Sequence, residues 1–308
     1  MTEISAIPVF VAVAETGGFA SAARQLGITK SAVSKRISAL ETRLGTQLFH
    51  RSTRSISLTE TGEIYLTHAA QALGAAREAE DAVAALQGKP VGHLKISAPV
   101  SFGRLHIAPL IAGFLADHPG ITLEIAMDDR IVDLVESGYD MAIRAGTMPD
   151  STLIIRRLAP IYSVIVAAPS YLVKYGEPTQ PDSLTNHNCL HYAYSRDPLD
   201  WAFLGPDGEI RVRTTGSLRI NNSEALCTAL IDGLGVGRLP TFIASTFIAA
   251  GSLVRLMPTH PMPEQTLFAV FPERRHMPAK VRIFVDYLIN QIGSTIPYWD
   301  SEAGLLDM

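Results

Sequence analysis

The first sixty residues alternate short apolar segments with polar and small residues at helical spacing. Residues 8–16 and 19–26 predict two short helices, and Gly27 is placed to end the second in a left-handed conformation. Residues 30–44 predict a third helix. Its aliphatic residues recur at intervals of four, three and four and are expected to form one buried stripe: Val33, Ile37, Leu40 and Leu44.

A polar face lies beside that stripe on the third predicted helix. It carries short hydroxyl side chains and a lysine: Ser31, Ser34, Lys35 and Ser38. Short hydroxyls let a helix backbone approach a groove, and lysine reaches phosphate oxygens or base edges. The alternative interpretation of such a face, taken alone, is a solvated amphipathic helix.

Charge and chain order favour the nucleic-acid interpretation. Residues 1–60 have a net charge of +3 and the remaining residues −7. Within residues 21–54 there are seven basic side chains and one acidic side chain, Glu41. The segment from Arg51 to Arg54 is basic and precedes an alternating strand, residues 55–58. Two short helices joined by a glycine turn and followed by a basic hairpin predict a winged helix-turn-helix.

Residues 61–86 predict one long helix with a heptad seam. Its apolar members are spaced four and three apart throughout: Tyr65, Ala69, Ala72, Ala76, Ala79, Val83 and Leu86. A single apolar seam needs a partner, either a second copy of the chain or the helix's own domain. Gly88-Lys89-Pro90 marks the boundary that follows.

From His93 onward, strand and helix patterns alternate and predict two α/β lobes with mostly parallel sheets. Predicted strands include residues 94–97, 121–127, 141–143, 162–167, 189–194, 236–239 and 266–271, and predicted helices residues 107–115, 132–136 and 279–291. A cleft between two such lobes is a place for a ligand, at the carboxyl ends of the strands.

Residues at the predicted strand ends are candidates for that ligand site: Ser101, Phe102, Asp128, Arg144, Asn222, Ser223, Glu224 and Arg238. Arg144 and Arg238 favour a small carboxylate or similar anion, and the backbone amides at residues 222–224 could hold one. Asp128 and Glu224 are expected either to pair with these arginines or to accept hydrogen bonds from the ligand. For Arg144, a structural salt bridge between the lobes is an equal alternative.

Composition excludes several classes of protein. With 47 % hydrophobic and 18 % charged residues, the chain is globular rather than disordered. It has no apolar run of membrane-spanning length and no secretory signal, so a cytoplasmic protein is expected. Neither the glycine cluster at 233–237 nor the residues around Cys189 form a cofactor or metal motif, and no nucleophile elbow is present. We therefore expect no cofactor, no metal and no enzymatic activity.

Several stretches of the chain resemble a known family of proteins. Residues 19–63, FASAARQLGITKSAVSKRISALETRLGTQLFHRSTRSISLTETGE, resemble the DNA-binding region of LysR-type transcriptional regulators. HLKISAPVSFGRLHIAPLIAGFLADHP and GYDMAIRAG resemble the effector-binding domain of that family. The resemblance implies a multidomain protein with a winged helix-turn-helix (1–60), a long linker helix for dimerisation (61–88) and an α/β two-lobed, type 2 periplasmic-binding-protein-like effector domain (89–308). Lobe I would take residues 91–162 and 266–292, and lobe II residues 163–265.

The resemblance also implies site residues and partners. Lys30, Ser31, Ser34 and Lys35 lie where the family contacts the groove, and Arg51 and Arg54 are placed to hold phosphates. Many relatives have glutamine and proline where this chain has Lys30 and Ser31. The implied partners are a double-stranded DNA operator, a small-molecule effector, a second copy in a homodimer or in a dimer of dimers, and RNA polymerase.

Two other functions are alternatives to a ligand-responsive regulator. One is a redox sensor that acts through Cys189 and Cys227, the two cysteines of the chain. The other is an enzyme or solute-binding protein with a fused DNA-binding head, for which the sequence offers no reactive residue set.

Overall fold

The computed structural model describes residues 6–51, 56–86, 90–146, 153–195, 197–272 and 277–301. The chain divides into two compact units. One comprises residues 1–92 with 132–139, and the other residues 93–131 with 140–308. Each unit has its own hydrophobic core.

Three helices open the first unit at the predicted positions: α1 (Ala6–Thr16), α2 (Phe19–Gln25) and α3 (Lys30–Leu44). Gly27 has φ 62° in the turn between α2 and α3, a conformation that glycine adopts without strain. Thr29 then caps α3 by accepting the backbone N–H of Ala32 at 3.2 Å.

The aliphatic stripe of α3 is buried except at its last member. Val33, Ile37 and Leu40 are at most 2 % exposed, whereas Leu44 is 40 % exposed. The prediction for Leu44 is therefore wrong. The helix ends at Gly45, and the core is continued instead by Leu48 and the aromatic Phe49, each 1 % exposed, after the chain turns back.

A short antiparallel hairpin follows, formed by β1 (Phe49–Arg51) and β2 (Ile56–Leu58). Its apex, residues 52–55, lies outside the described residues. Phe49 packs against Phe10 of α1, with ring centroids 5.2 Å apart, so the hairpin base is anchored in the helical core. Glu41 fixes the approach to the hairpin, because its carboxylate accepts the backbone N–H groups of Leu48 and Phe49 at 3.0 and 3.3 Å.

The long helix α4 (Glu60–Leu86) begins at a tight contact with the hairpin base. Thr59 caps it by accepting the N–H of Gly62 at 3.0 Å and donates its hydroxyl to the carbonyl of Gln47 at 2.8 Å. A Cβ atom at Gly62 would lie 2.1 Å from the backbone oxygen of Leu48. The threonine and glycine at this helix start are thus required by hydrogen bonding and by space.

The second unit contains two five-stranded sheets. The first has the order β4-β3-β5-β14-β6, with β3 (Gly92–Ala98), β4 (Ile121–Met127), β5 (Met141–Ala145), β6 (Leu153–Ile161) and β14 (Gln265–Pro272). The second has the order β11-β8-β12-β7-β13, with β7 (Ser163–Ala167), β8 (Cys189–Tyr192), β11 (Arg219–Ile220), β12 (Val236–Pro240) and β13 (Val254–Leu256).

Helices cover both sheets, and a hairpin adds to the second. On the first sheet lie a bent segment and a C-terminal pair: α5 (Val100–Phe102), a π-helical turn (Gly103–Ile107), α6 (Ala108–Asp117), α10 (Ala279–Ile292) and α11 (Tyr298–Ser301). The second sheet is covered by α7 (Pro169–Tyr175), α8 (Ser223–Ile231), α9 (Thr241–Ala249) and the hairpin of β9 (Asp200–Gly205) and β10 (Gly208–Arg213).

The sheets are mixed rather than mostly parallel, which corrects the sequence prediction. β3 pairs with β5 and β8 pairs with β11 and β12 in parallel, but β14 and β7 run antiparallel to the neighbours recorded for them. The chain passes from β6 into β7 through Tyr162 alone, and later returns to the first sheet as β14. Because the chain enters each sheet from the other one at β7 and β14, the alternation of strands and helices along the sequence does not set the direction of these two strands.

The helix predicted at residues 132–136 is also wrong. Asp133 accepts the N–H groups of Val135 and Glu136 through its side chain, and Gly138 follows with φ 66°. The segment is therefore one hydrogen-bonded turn, started by an aspartate and stopped by a glycine before a second turn can form.

No single described helix is long and apolar enough to cross a membrane. Helices α1 and α2 reach that length and apolarity only together, as a pair bent by 120°.

The close approach at Gly62 predicts a large difference between two glycine substitutions in α4. Gly62→Ala should destabilise the protein by about 1–3 kcal/mol, because the Leu48 carbonyl belongs to the backbone and cannot easily move. Gly74→Ala has open space around it and should stabilise the protein by up to about 1 kcal/mol. Urea unfolding of the two variants checks this, and equal effects would contradict the contact.

Candidate nucleic-acid interface and ligand cleft

The polar face of α3 is open to solvent. Four of its side chains, Lys30, Ser31, Lys35 and Ser38, are exposed, and Ser34 is half-buried. At about 100° per residue these five positions fall within an arc of about 140°, separate from the arc of the buried stripe. The first unit therefore presents a narrow strip of hydroxyl and ammonium groups, backed by a helix that its core holds in place.

The start of this face is ordered by local hydrogen bonds. The hydroxyls of Thr29 and Ser31 lie 3.0 Å apart, and the Thr29 oxygen also caps the helix. The amino end of a helix carries a partial positive charge, which adds to that of Lys30 and favours a nearby anion such as a phosphate.

The basic hairpin is only partly described. Arg51 lies in β1 opposite Ile56, but its side chain is not described. Arg54 lies outside the described residues. Their predicted phosphate contacts stay predictions.

Helix α4 leaves most of its seam uncovered. Tyr65 and Ala69 pack into the core of the first unit, and the rings of Tyr65 and Phe10 lie 5.0 Å apart. Farther along, Ala76 and Val83 are exposed, Val83 to 59 %.

In the second unit, Arg144 and Asp128 lie at strand ends of the first sheet, which we call the first wall of the predicted cleft. Arg144 lies on β5 and donates to the buried hydroxyl of Ser97 at 2.9 Å. Asp128 follows β4 and is bound by the guanidinium of Arg130 at 2.6 and 3.0 Å, which lowers the pKa of the Asp128 carboxyl; the charge of Arg144 adds to the effect. The main partner of Asp128 is therefore Arg130, not Arg144 or Arg238. Arg130 is two residues away along the chain, and its side chain folds back onto the Asp128 carboxylate.

Ser101 and Phe102 have different surroundings although they are adjacent. The Ser101 hydroxyl is buried and has no hydrogen-bond partner among the described residues. Phe102 is 1 % exposed and packs in an aromatic cluster with His106, Phe242 and Trp299, at centroid distances of 5.2, 5.4 and 5.8 Å. The structure thus places Phe102 in the core, and Ser101 retains the capacity for a polar contact.

The second wall carries Arg238 on β12. Its guanidinium donates to the Ser195 hydroxyl at 3.2 Å, the one side-chain partner that the described residues provide. Burial lowers the pKa of Arg238, so this cation is partly desolvated. Tyr192 and Tyr194 lie near Ser195 in the chain, and their rings meet edge to face at 6.1 Å.

The start of α8 is already capped. Asn222 accepts the N–H groups of Glu224 and Ala225 through its side chain, at 3.1 and 2.9 Å. The predicted amide of Glu224 is therefore used by the cap, whereas an anion contact at the amides of Asn222 and Ser223 stays a prediction. Ser223 lies at the first position of the helix, half-buried.

An ion pair joins the two walls. Arg104, in the π-helical turn, pairs with Glu224 of α8, with Nε to Oε2 at 3.0 Å. Burial, followed by the charge of Asp129, raises the pKa of Tyr192. Glu224 thus pairs with Arg104 rather than with Arg144 or Arg238.

Sequence reasoning missed Ser97, Arg104, Asp129 and Ser195. Arg104 and Glu224 are 120 positions apart, and no periodicity or motif joins them. The one available signal was that Arg104 and Asp129 lie close to the strand ends that carry the candidate residues.

The two cysteines lie in different cores of the second unit. Cys189 packs with Ile165 and Ala167, and Cys227 packs with Val164 and Val166. Because side chains alternate along β7, these cores are on opposite faces of the sheet. This placement argues against a disulfide between them. Among the described residues, no three His, Cys, Asp or Glu side chains come together as metal ligands.

Two family models match separate parts of the chain. A family model for the bacterial regulatory helix-turn-helix protein, lysR family, matches residues 4–63, and a model for the LysR substrate binding domain matches residues 87–293. The HTH-type transcriptional regulator PtxR of Pseudomonas aeruginosa is 37 % identical over 284 residues, which cover 92 % of this chain and 91 % of that protein.

Two solved structures cover nearly the whole chain. The full-length virulence activator AphB of Vibrio cholerae has a TM-score of 0.63 and 26 % identity, over 94 % of this chain and 99 % of that one. CrgA, a LysR-type transcriptional regulator from Neisseria meningitidis, has a TM-score of 0.61 and 31 % identity, over 96 % and 100 % of the two chains. These likenesses confirm the predicted fold class, a helix-turn-helix unit with a two-lobed α/β domain.

The burial of both cysteines predicts unreactive thiols in the folded protein. Burial raises the pKa of Cys189 to about 12 and of Cys227 to about 11. At about pH 8, about one thiol in a thousand or fewer would be a thiolate. We expect dithiobis(nitrobenzoate) to release no colour from the native protein and two equivalents after unfolding.

Thr228→Cys supplies the control, because this position is exposed on the same helix as Cys227. It should add one fast equivalent. Rapid reaction of Cys189 or Cys227 in the native protein would instead support the alternative of a redox sensor.

Proposed function

The chain belongs to the LysR family of transcriptional regulators, and we propose that α3 reads an operator while the cleft of the second unit binds a small organic anion that changes operator binding. The observation that carries this proposal is the exposed hydroxyl and lysine face of α3, held outward by the buried stripe on the same helix. Relatives of this family are named as regulators of transcription, and the protein is not an enzyme.

The DNA-binding part of the proposal rests on side-chain chemistry. Ser31, Ser34 and Ser38 are short, so the backbone of α3 can lie deep in a major groove. Lys30 and Lys35 reach farther and supply charge to phosphates or to guanine acceptors. Arg51 and Arg54 are proposed to hold phosphates beside the groove.

We also propose a homodimer through α4, and a dimer of dimers as the larger assembly. The support is the seam itself, in which Ala72, Ala76 and Ala79 precede Val83, since small side chains let two helices approach closely. A dimer places two copies of α3 on two half-sites of a near-palindrome. RNA polymerase stays a predicted partner.

The anion is proposed to lie between Arg144 of the first wall and Arg238 of the second. Each arginine donates to a neutral serine hydroxyl, Ser97 or Ser195, and a carboxylate accepts from a guanidinium more strongly than a neutral hydroxyl does. Ser101 is proposed to add a hydroxyl contact. A bound carboxylate would attract both guanidinium groups and draw the walls together.

Closure by such a ligand is proposed to shift the protein between arrangements with different operator affinity. The ion pair between Arg104 and Glu224 already joins the walls, and the ligand acts against the closure that this pair sets. The size of the response depends on how differently the ligand binds the two arrangements.

For the DNA contact we predict that Lys35→Ala weakens binding to the upstream DNA of its own gene by about 5- to 150-fold, equivalent to about 1–3 kcal/mol. Lys174→Ala, an exposed lysine of the second unit, is the matched control and should bind normally. Band shifts at several salt concentrations provide the measurement, and footprinting should show two half-sites about one helical turn apart. Equal binding by both variants would overturn the assignment of α3.

For the effector we predict that Arg238→Met loses the response to the acid that stabilises the native protein. A thermal-shift screen of short aliphatic and aromatic carboxylates identifies that acid, because a ligand raises the melting temperature by mass action. We expect its affinity to fall by about tenfold or more in Arg238→Met and to be unchanged in Arg213→Met, an exposed arginine of β10. An unchanged response in Arg238→Met would remove this residue from the site.

A further inference from the structure

The second unit contains another cavity, whose lining residues are distinct from those proposed for the ligand cleft. Its volume is about 370 Å³, which lies in the range of small-molecule sites, roughly 300–1,000 Å³. The walls come from the start of β7, the end of β13, the segment that follows β13, and β9: residues 162–165, 255–258, 260–262 and 264, with Leu204 and Thr241.

This cavity lies where the chain passes between the two sheets, so we call it the hinge cavity. Tyr162 joins β6 to β7, and Glu264 immediately precedes β14, so one wall contains both of these crossing segments. Glu264 connects them: Arg157 of β6 lies 3.1 Å from its carboxylate, and burial, followed by the charge of Glu264, raises the pKa of Tyr162. Both crossings therefore contribute to the lining of the hinge cavity.

The lining combines soft apolar side chains with a cation. Leu256, Met257 and Met262 are buried core residues that also face the cavity. Methionine adapts its shape to different apolar ligands. Arg255 is half-buried on the same wall, and burial lowers the pKa of its guanidinium, so an anion placed beside it would offset part of its lost hydration.

The loop that frames the hinge cavity is held in a defined shape. Met257 has φ 49°, the one positive φ among the described residues other than glycine. His260 donates its N–H to the Met257 carbonyl at 3.0 Å, and Leu204 donates its N–H to the Pro261 carbonyl at 2.7 Å. A strained conformation of this kind persists only where neighbouring contacts impose it, so the cavity wall is preformed.

We propose that the hinge cavity binds a small amphipathic acid, with an apolar body of one or two aromatic rings against Leu256, Met257 and Met262 and its carboxylate or sulfonate on Arg255. Binding there holds the two crossing segments in one arrangement and so regulates closure of the ligand cleft. This regulatory consequence rests on the proposed function, whereas the binding itself does not.

The test is a fluorescence titration of the full-length protein with anilinonaphthalene sulfonate, which has an aromatic body and one sulfonate. We expect saturable binding that weakens by about tenfold or more in Arg255→Met, and that Arg255→Lys partly restores. Leu204→Trp should also weaken probe binding. Leu204 is 45 % exposed at the cavity, so a larger side chain there fills part of the cavity without disturbing the hydrophobic core.

Two arginine variants serve as controls, Arg213→Met on the exposed hairpin and Arg238→Met in the ligand cleft. Both should bind the probe within about twofold of the native protein, well inside the tenfold change. The proposal is overturned if Arg255→Met matches Arg213→Met, if Leu204→Trp leaves the titration unchanged, or if Arg238→Met is the variant that loses the probe. The assay contains no DNA, so its failure is distinguishable from a failure of operator binding.

Discussion

The orientation of α3 is the constraint on which the DNA-binding unit depends. Val33, Ile37 and Leu40 are buried together against a core that includes Phe10 and Phe49. Rotating the helix to bury its hydroxyl face instead would expose these three aliphatic side chains, at a cost of about 1.5–3 kcal/mol for each. The same packing that stabilises the unit therefore determines which side chains can meet a duplex.

The second unit depends on a different arrangement, two sheets joined by short crossings and by a few polar contacts. The ion pair between Arg104 and Glu224 is largely exposed on the arginine side, so it contributes little stability. Such a contact can break and form at low cost, which suits the closure that we propose for the cleft. By contrast, buried Lys280 lies 3.3 Å from Asp140 and donates to the carbonyl of His93, so these contacts fix α10 to the first sheet.

The errors of the sequence prediction share a physical cause. Leu44 continues the stripe in spacing, but it lies in the last helical turn, where the core is already filled by residues from the returning chain. Residues 132–136 have an acceptable helical composition, but Asp133 and Gly138 limit them to a single turn. Of the two predictions for Asp128, pairing with Arg144 or Arg238 gives way to pairing with Arg130, two residues away, and a contact with the ligand stays a prediction. In each case a neighbour in space or a turn residue overrides the local pattern.

The sequence by itself determined the helix-turn-helix with its buried stripe and exposed polar face, the long helix with its seam, and seven of the twelve strands from β3 to β14. These features follow from spacing and from capping residues, which act over a few positions of the chain. Only the tertiary structure decided the direction of β7 and β14, the pairing of Glu224 with Arg104, and the hinge cavity. Those depend on residues far apart in the chain, 120 positions in the case of Arg104 and Glu224, and packing, rather than any periodicity, brings them together.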